Sequence, residues 1–206
     1  MALVKYNNNS ISAVTATAIP SGSLILIKTL TASSSATLSF VHGTDGVVLD
    51  STYPIYKFEF INMHPATNGT AFQFNMSVDG GSNYNVVKTT TYFLPYHNEA
   101  GNSSGLIYSA SSDLAQSTAF QRIILNIGND NDQSGSGELT LFNPSSTTFV
   151  KNFMAKNTYY HSDDFTETDF VAGYGNTTSA VNAIRFQMSS GNIDSGKIKL
   201  YGIKDS

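Results

Sequence analysis

Along most of the chain apolar and polar residues alternate, which is the period of a strand with one face in a core and the other in water. Two segments show it most clearly: residues 56–63, Tyr56-Lys57-Phe58-Glu59-Phe60-Ile61-Asn62-Met63, and residues 70–77, Thr70-Ala71-Phe72-Gln73-Phe74-Asn75-Met76-Ser77. Tyr56, Phe58 and Phe60 share one face of the first, and Phe72, Phe74 and Met76 share one face of the second. The intervening His64-Pro65-Ala66-Thr67-Asn68-Gly69 ends in Asn-Gly, which tolerates positive φ, so the pattern predicts a hairpin. Two aromatic ladders facing one core predict a sandwich or barrel.

The C-terminal end reads the same way. Ile184, Phe186 and Met188 share a face, a Ser/Gly/Asn/Asp turn follows, and Ile198 and Leu200 then alternate with Lys197, Lys199 and Tyr201. This predicts a terminal antiparallel hairpin central to the core, with Arg185, Lys197 and Lys199 pointing away from it. Truncation before Lys197 is then expected to unfold the domain. A third hairpin is expected to join Gln121–Ile127 to residues 137–142 across a Gly/Asn/Asp/Ser turn, after which Asn143-Pro144-Ser145-Ser146 leads into residues 147–156. Asp113-Leu114-Ala115-Gln116 fits a capping box and predicts one or two helical turns. Residues 92–112 read as a long connection between two halves of the sheet system. No repeat period or composition shift marks a boundary, so the expectation is an all-β antiparallel sandwich, one domain over residues 1–206, with at most one or two short helices.

Composition narrows the functional classes. Charged residues are 13% of the chain, against about 25% in an ordinary soluble domain, and Ser, Thr, Asn and Gly fill the deficit. The net charge of −4, with Arg122 and Arg185 the two arginines, argues against nucleic acid as a partner. The longest apolar run, Leu24-Ile25-Leu26-Ile27, is strand-sized and far short of the roughly 20 residues of a spanning helix. The opening residues 1–9 carry one lysine and a run of asparagines without an apolar stretch, so no secretory signal is expected there. Zero cysteines removes disulfide and thiolate chemistry.

Candidate chemistry is sparse. The histidines at 42, 64, 97 and 161 lack metal-ligand spacing. Asp130-Asn131-Asp132 with Gly135 resembles the start of a calcium loop, but the twelfth position is Leu141 where a bidentate glutamate is needed, and turn chemistry accounts for the same residues. Asp163, Asp164, Glu167 and Asp169 form a denser acidic run, read as a solvated loop with calcium or a basic partner as the sharper alternative. Asp130, Asp132, Asp163 and Asp164 are thus the calcium candidates, and no cofactor is expected. Gly101-Asn102-Ser103-Ser104-Gly105 has the letters of a nucleophile elbow without the preceding buried strand or the following helix. Among Glu59, Glu99, Glu138 and Glu167 the spacing selects no glycosidase-type pair, so no catalytic residue is assigned. Tyr84, Tyr92, Tyr96, Tyr108, Tyr159, Tyr160 and Tyr174 lie among Asn, Ser, Thr and Gly, a mixture that on an exposed surface suits a protein or glycan interface, while each one taken singly reads as a cross-strand core or rim residue.

Several stretches carry a resemblance: Met1-Ala2-Leu3-Val4-Lys5, residues 40–50 (Phe-Val-His-Gly-Thr-Asp-Gly-Val-Val-Leu-Asp), Asp79-Gly80-Gly81-Ser82-Asn83-Tyr84, residues 141–148 and residues 196–203. Together they resemble structural proteins of tailed phages of marine bacteria. The resemblance implies a jelly-roll-like sandwich on a virion, non-enzymatic, as a capsid decoration or cement protein or a tail or fibre component. Its implied partners are other virion proteins and further copies of itself. The alternative is a carbohydrate-binding module or receptor-binding lectin that contacts host surface glycan, against which the absence of Trp counts.

Overall fold

Twelve strands and no helix make up the described residues, 23–205, of the computed structural model. In chain order they are β1 (Leu24–Ser35), β2 (Leu38–Val41), β3 (Ile55–Pro65), β4 (Thr70–Ser77), β5 (Lys88–Asn98), β6 (Ser104–Tyr108), β7 (Gln121–Ile127), β8 (Gly135–Phe142), β9 (Lys151–His161), β10 (Phe165–Gly175), β11 (Ala183–Met188) and β12 (Ile193–Ile203). The residues Met1, Ala2, Leu3, Val4 and Lys5 of the resemblance and the expectation for residues 1–9 lie outside the described residues.

Every strand pair is antiparallel. Strands β1-β12-β3-β8 form one layer and β2-β11-β4-β7 the facing one. That order is the double Greek key of a jelly roll. Two further hairpins, β9–β10 and β5–β6, extend the first layer beyond β8 in the order β9-β10-β5-β6. The layers join at one margin, where β7 meets β9 through the single register pair Ile127↔His161.

Strand parity builds the core. Tyr56, Phe58 and Phe60 of β3 and Ile198 and Leu200 of β12 are buried from one layer. Phe72, Phe74 and Met76 of β4 and Ile184 and Phe186 of β11 are buried from the other. The ring of Phe186 lies 5.2 Å from Phe60, 5.3 Å from Phe58 and 5.8 Å from Phe72, mixing tilted, edge-on and stacked contacts. Two lysines also enter the interior: Lys88 and Lys151 sit on either side of Gly175 at one register position. A Cβ at Gly175 would come within 2.7 Å of Met76 Cε, so glycine keeps this crowded row open. Lys151 Nζ donates to the carbonyls of Ser146, Phe149 and Thr177. Lys88 Nζ donates to Asn75 Oδ1 at 2.5 Å and Val86 O at 2.8 Å, and burial pulls its pKa down to about 7.

Several local expectations change. The three expected hairpins are not hydrogen-bonded pairs: β3 bonds β12 and β8, β4 bonds β11 and β7, and β11 and β12 lie in opposite layers. The turns do reverse the chain, with Gly69 at φ +66°, but each carries it across the sandwich to the facing sheet. The true hairpins are β5–β6 and β9–β10, so residues 92–112 are largely strand rather than a connection. No helix starts at Asp113; its carboxylate accepts the Tyr108 hydroxyl at 2.5 Å, and Gln116 takes a positive φ that ends any helical turn.

Because Phe186 touches aromatic rings of both layers, Phe186→Ala should cost about 3–5 kcal/mol of stability. The measurement is the urea midpoint at constant slope, and a loss below ~1 kcal/mol would show that the rings do not hold the layers together.

Candidate functional site

The outward face of the extended layer is the most featured surface. Parity points Met154, Lys156, Thr158 and Tyr160 of β9 outward beside Thr166, Phe170 and Ala172 of β10 and Thr91, Phe93 and His97 of β5. The cross-strand pair Phe93↔Phe170 stacks its rings at 4.9 Å and 2°, and Lys156 Nζ lies 5.6 Å from the Phe170 centroid. Phe93 is 42% and Met154 60% exposed. With Phe142 they line an open apolar groove of about 370 Å³. Toward the β9–β10 turn the same face becomes a polar cleft of about 520 Å³, lined among others by His97, Glu99, Asp132, Tyr160 and Phe165. Tyr160 Oη donates to Asp164 Oδ1 at 3.2 Å, and the neighbouring Glu99 and Asp164 carboxylates, Glu99 foremost, help push the phenol up to about 12.

Behind this face, at the margin where the layers meet, lies a buried polar cluster. Since β7 and β9 share one register pair, the remaining polar groups of β7 need side-chain partners. Asn157 Nδ2 donates to Ile123 O at 2.9 Å, and Asp169 Oδ2 accepts Leu125 N–H at 2.9 Å. Asn157 and Asp169 are themselves a register pair, both fully buried, and Asn157 Oδ1 and Asp169 Oδ1 have no further partner. Two acceptors left in this way favour a carboxyl that keeps its proton. Burial, with the Glu167 charge adding to it, raises the Asp169 pKa to about 7. Tyr92 Oη is buried near this carboxyl without a hydrogen bond of ordinary geometry, and Tyr159 donates a short hydrogen bond to Glu167.

The calcium candidates are not assembled. Asp130 and Asp132 sit in the β7–β8 loop, closed by Gln133 N–H to Asp130 O at 2.9 Å, while Asp163 and Asp164 form the β9–β10 turn. Among the described residues no group of three or more His, Asp or Glu could hold a metal ion. Asp169, read as part of a solvated loop, is instead a fully buried strand residue. Of the tyrosines, Tyr92 and Tyr159 are the core residues that each was singly read as, 0% and 4% exposed because parity turns them inward, and so leave the interface set; Tyr108, at 55%, does face solvent. Glu59 and Glu138 pair across β3 and β8, and Lys57 Nζ bridges them at 3.4 and 2.7 Å, so the ammonium occupies the space between the two carboxylates and offsets one of their two charges. His42 Nδ1 accepts Leu49 N–H, His64 Nδ1 contacts Gln133 O, and His161 Nδ1 accepts Asp163 N–H, so these three serve turns. Ser103 lies in the β5–β6 turn, where Asn98 Oδ1 takes its N–H. The outward Phe93–Phe170 stack was not singled out from sequence, although Phe93 alternates with buried neighbours and so signals an apolar residue on the wet face.

No protein-family model, curated protein or solved structure matches this chain.

Asp169 sets a pH dependence. The folded state holds its proton up to about 7, whereas an unfolded aspartic acid releases it near 3.8. Its stabilisation is therefore full below that lower value and is lost as pH rises through about 7, by roughly 4 kcal/mol. Asp169→Asn keeps an acceptor for Leu125 N–H and should unfold at higher urea than wild type at pH 8 but not at pH 4. A difference between the two proteins that does not change with pH would overturn the assignment.

Proposed function

We propose that this chain is a non-enzymatic structural subunit of a tailed-phage virion, most consistent with a head-surface decoration or cement role and extending to a tail or fibre component. The observation that carries the reading is the groove around Phe93, Phe142, Met154 and Phe170 on the outer face of the extended sheet. The stacked cross-strand pair adds only about 0.2–1 kcal/mol to its own sheet and leaves much apolar area in water beside an exposed thioether, whereas a face that seats on another protein gains the burial of all of them. The jelly-roll topology and the resemblance of residues 40–50, 79–84, 141–148 and 196–203 to phage structural proteins point the same way, the fold alone being silent on function.

The polar cleft favours a second reading. His97, Glu99, Asp132, Tyr160 and Phe165 combine flat rings with hydrogen-bonding groups, the pairing that saccharide recognition uses. A virion subunit that binds host glycan would satisfy both readings.

Mass spectrometry of purified particles from the phage carrying this gene should find the chain at a stoichiometry of structural copies, and its absence from intact particles removes the virion reading. A glycan array probed with the full chain should show signal that Tyr160→Ala and Phe165→Ala abolish; a blank array removes the second.

A further inference from the structure

Among the described residues the two layers end on four strands: β1 and β6 for the extended layer, β2 and β7 for the other. An end strand offers a row of free N–H and C=O groups to any strand that approaches, and folded proteins guard such rows with charge, bulges, short length or a cover. Three of the four are guarded. β1 carries Lys28 next to a register break between Leu26 and Lys28, and Ser34 at φ +49° kinks its far end. β2 is four residues long. β7 is covered by the Asn157 and Asp169 side chains.

β6, at five residues, is only one longer than β2, but it has no charge, bulge or cover. Ser104-Gly105-Leu106-Ile107-Tyr108 is uncharged, free of proline and register breaks, and exposed along its whole length, with Leu106 at 71%, Ile107 at 46% and Tyr108 at 55%. Its hydrogen-bond phase is fixed by Ser109 N–H to Tyr92 O and Asn98 N–H to Ser103 O, both 2.9 Å. Those bonds make Leu94↔Ile107 and Tyr96↔Gly105 the bonded pairs, leaving Phe93↔Tyr108, Pro95↔Leu106 and His97↔Ser104 as the non-bonded ones. Pro95, which has no N–H to give, falls at a non-bonded pair, as this phase requires. The backbone groups of Ser104, Leu106 and Tyr108 therefore all point away from β5, toward open space.

We propose that β6 is a self-pairing edge: two copies of this chain join antiparallel through β6 about a two-fold axis, continuing the extended sheet from one copy into the other. The proposal deepens, and rests on, the reading of the chain as an assembly subunit. The phase specifies a strand as the occupant, and the sequence suits a second copy. A two-fold through Leu106 sets Leu106 opposite Leu106 and Ser104 opposite Tyr108, so the outward groups meet in register and no like charges face each other. Leu106 and Tyr108 share the outer face with Phe93, so the joined sheets would carry the apolar strip across the junction without interruption.

The test uses the full chain and two variants that leave the core untouched. Leu106→Lys restores a guarding charge, and Leu106→Pro removes an outward N–H that β5 does not use. Light scattering coupled to size exclusion should show a concentration-dependent dimer for wild type and a monomer for both variants, each with the wild-type far-UV circular dichroism. Hydrogen exchange should show the amides of residues 106 and 108 protected in the wild-type dimer; both should exchange freely in Leu106→Lys, and the Tyr108 amide should do so in Leu106→Pro, which has no amide at 106. A wild type that stays monomeric at its solubility limit overturns the proposal, as does a dimer that survives both substitutions. A monomer that is nonetheless found in purified particles overturns self-pairing and leaves the virion reading standing; a β6 dimer absent from particles does the reverse.

Discussion

The packing of Phe186 against five phenylalanine rings is the interaction on which the architecture depends. Phe40, Phe72 and Phe74 belong to its own layer and Phe58 and Phe60 to the facing one, all with centroids within 6.3 Å. Rings of this size cannot be accommodated by sliding one sheet over the other by a residue, because a one-residue slip turns every side chain of a strand to its other face. The aromatic cluster therefore holds the separation and register of the layers together. With those held, the outer faces are free to carry residues chosen for something other than folding.

That division explains why the margin between β7 and β9 is polar. A jelly roll leaves its two layers open at their sides, and here the extended layer curls until one pair of residues meets. The rest of the gap is closed by Asn157 and Asp169, whose side chains stand in for a missing strand partner. An apolar filling would leave Ile123 O and Leu125 N–H buried and unpaired, at about 1–3 kcal/mol each. A carboxyl that stays protonated is the less costly arrangement, and its consequence is a fold that tightens as pH falls toward 4.

Much of this was legible in the alternation of residues. Tyr56, Phe58, Phe60, Phe72, Phe74 and Met76, and Ile184, Phe186, Met188, Ile198 and Leu200, all fall on the core side as their period requires. Pairing was not legible, and the reason is physical: a turn such as Asn68-Gly69 reverses the chain equally well whether the next strand lies beside the last or across the core from it. Hairpin and crossover have the same local signature, and they differ only in which distant strand supplies the hydrogen bonds. The acidic run misled for a similar reason, since Asp169 lies two residues beyond Glu167 on a strand that dives inward. Which of the tyrosines face the core is set by parity and not by composition, and parity places Tyr92 and Tyr159 inside. The Phe93–Phe170 contact joins residues far apart in sequence, and no local pattern reports such a contact.

The claim that the outer face of the extended sheet is the surface this protein presents to its assembly is tested most directly at Met154, which is 60% exposed and sits at the rim of the apolar groove. Oxidative footprinting, read by mass spectrometry, should convert Met154 to the sulfoxide readily in the isolated chain and leave it protected in assembled particles, with the buried Met63 and Met76 protected in both. Equal oxidation of Met154 in the free and assembled protein would contradict the account.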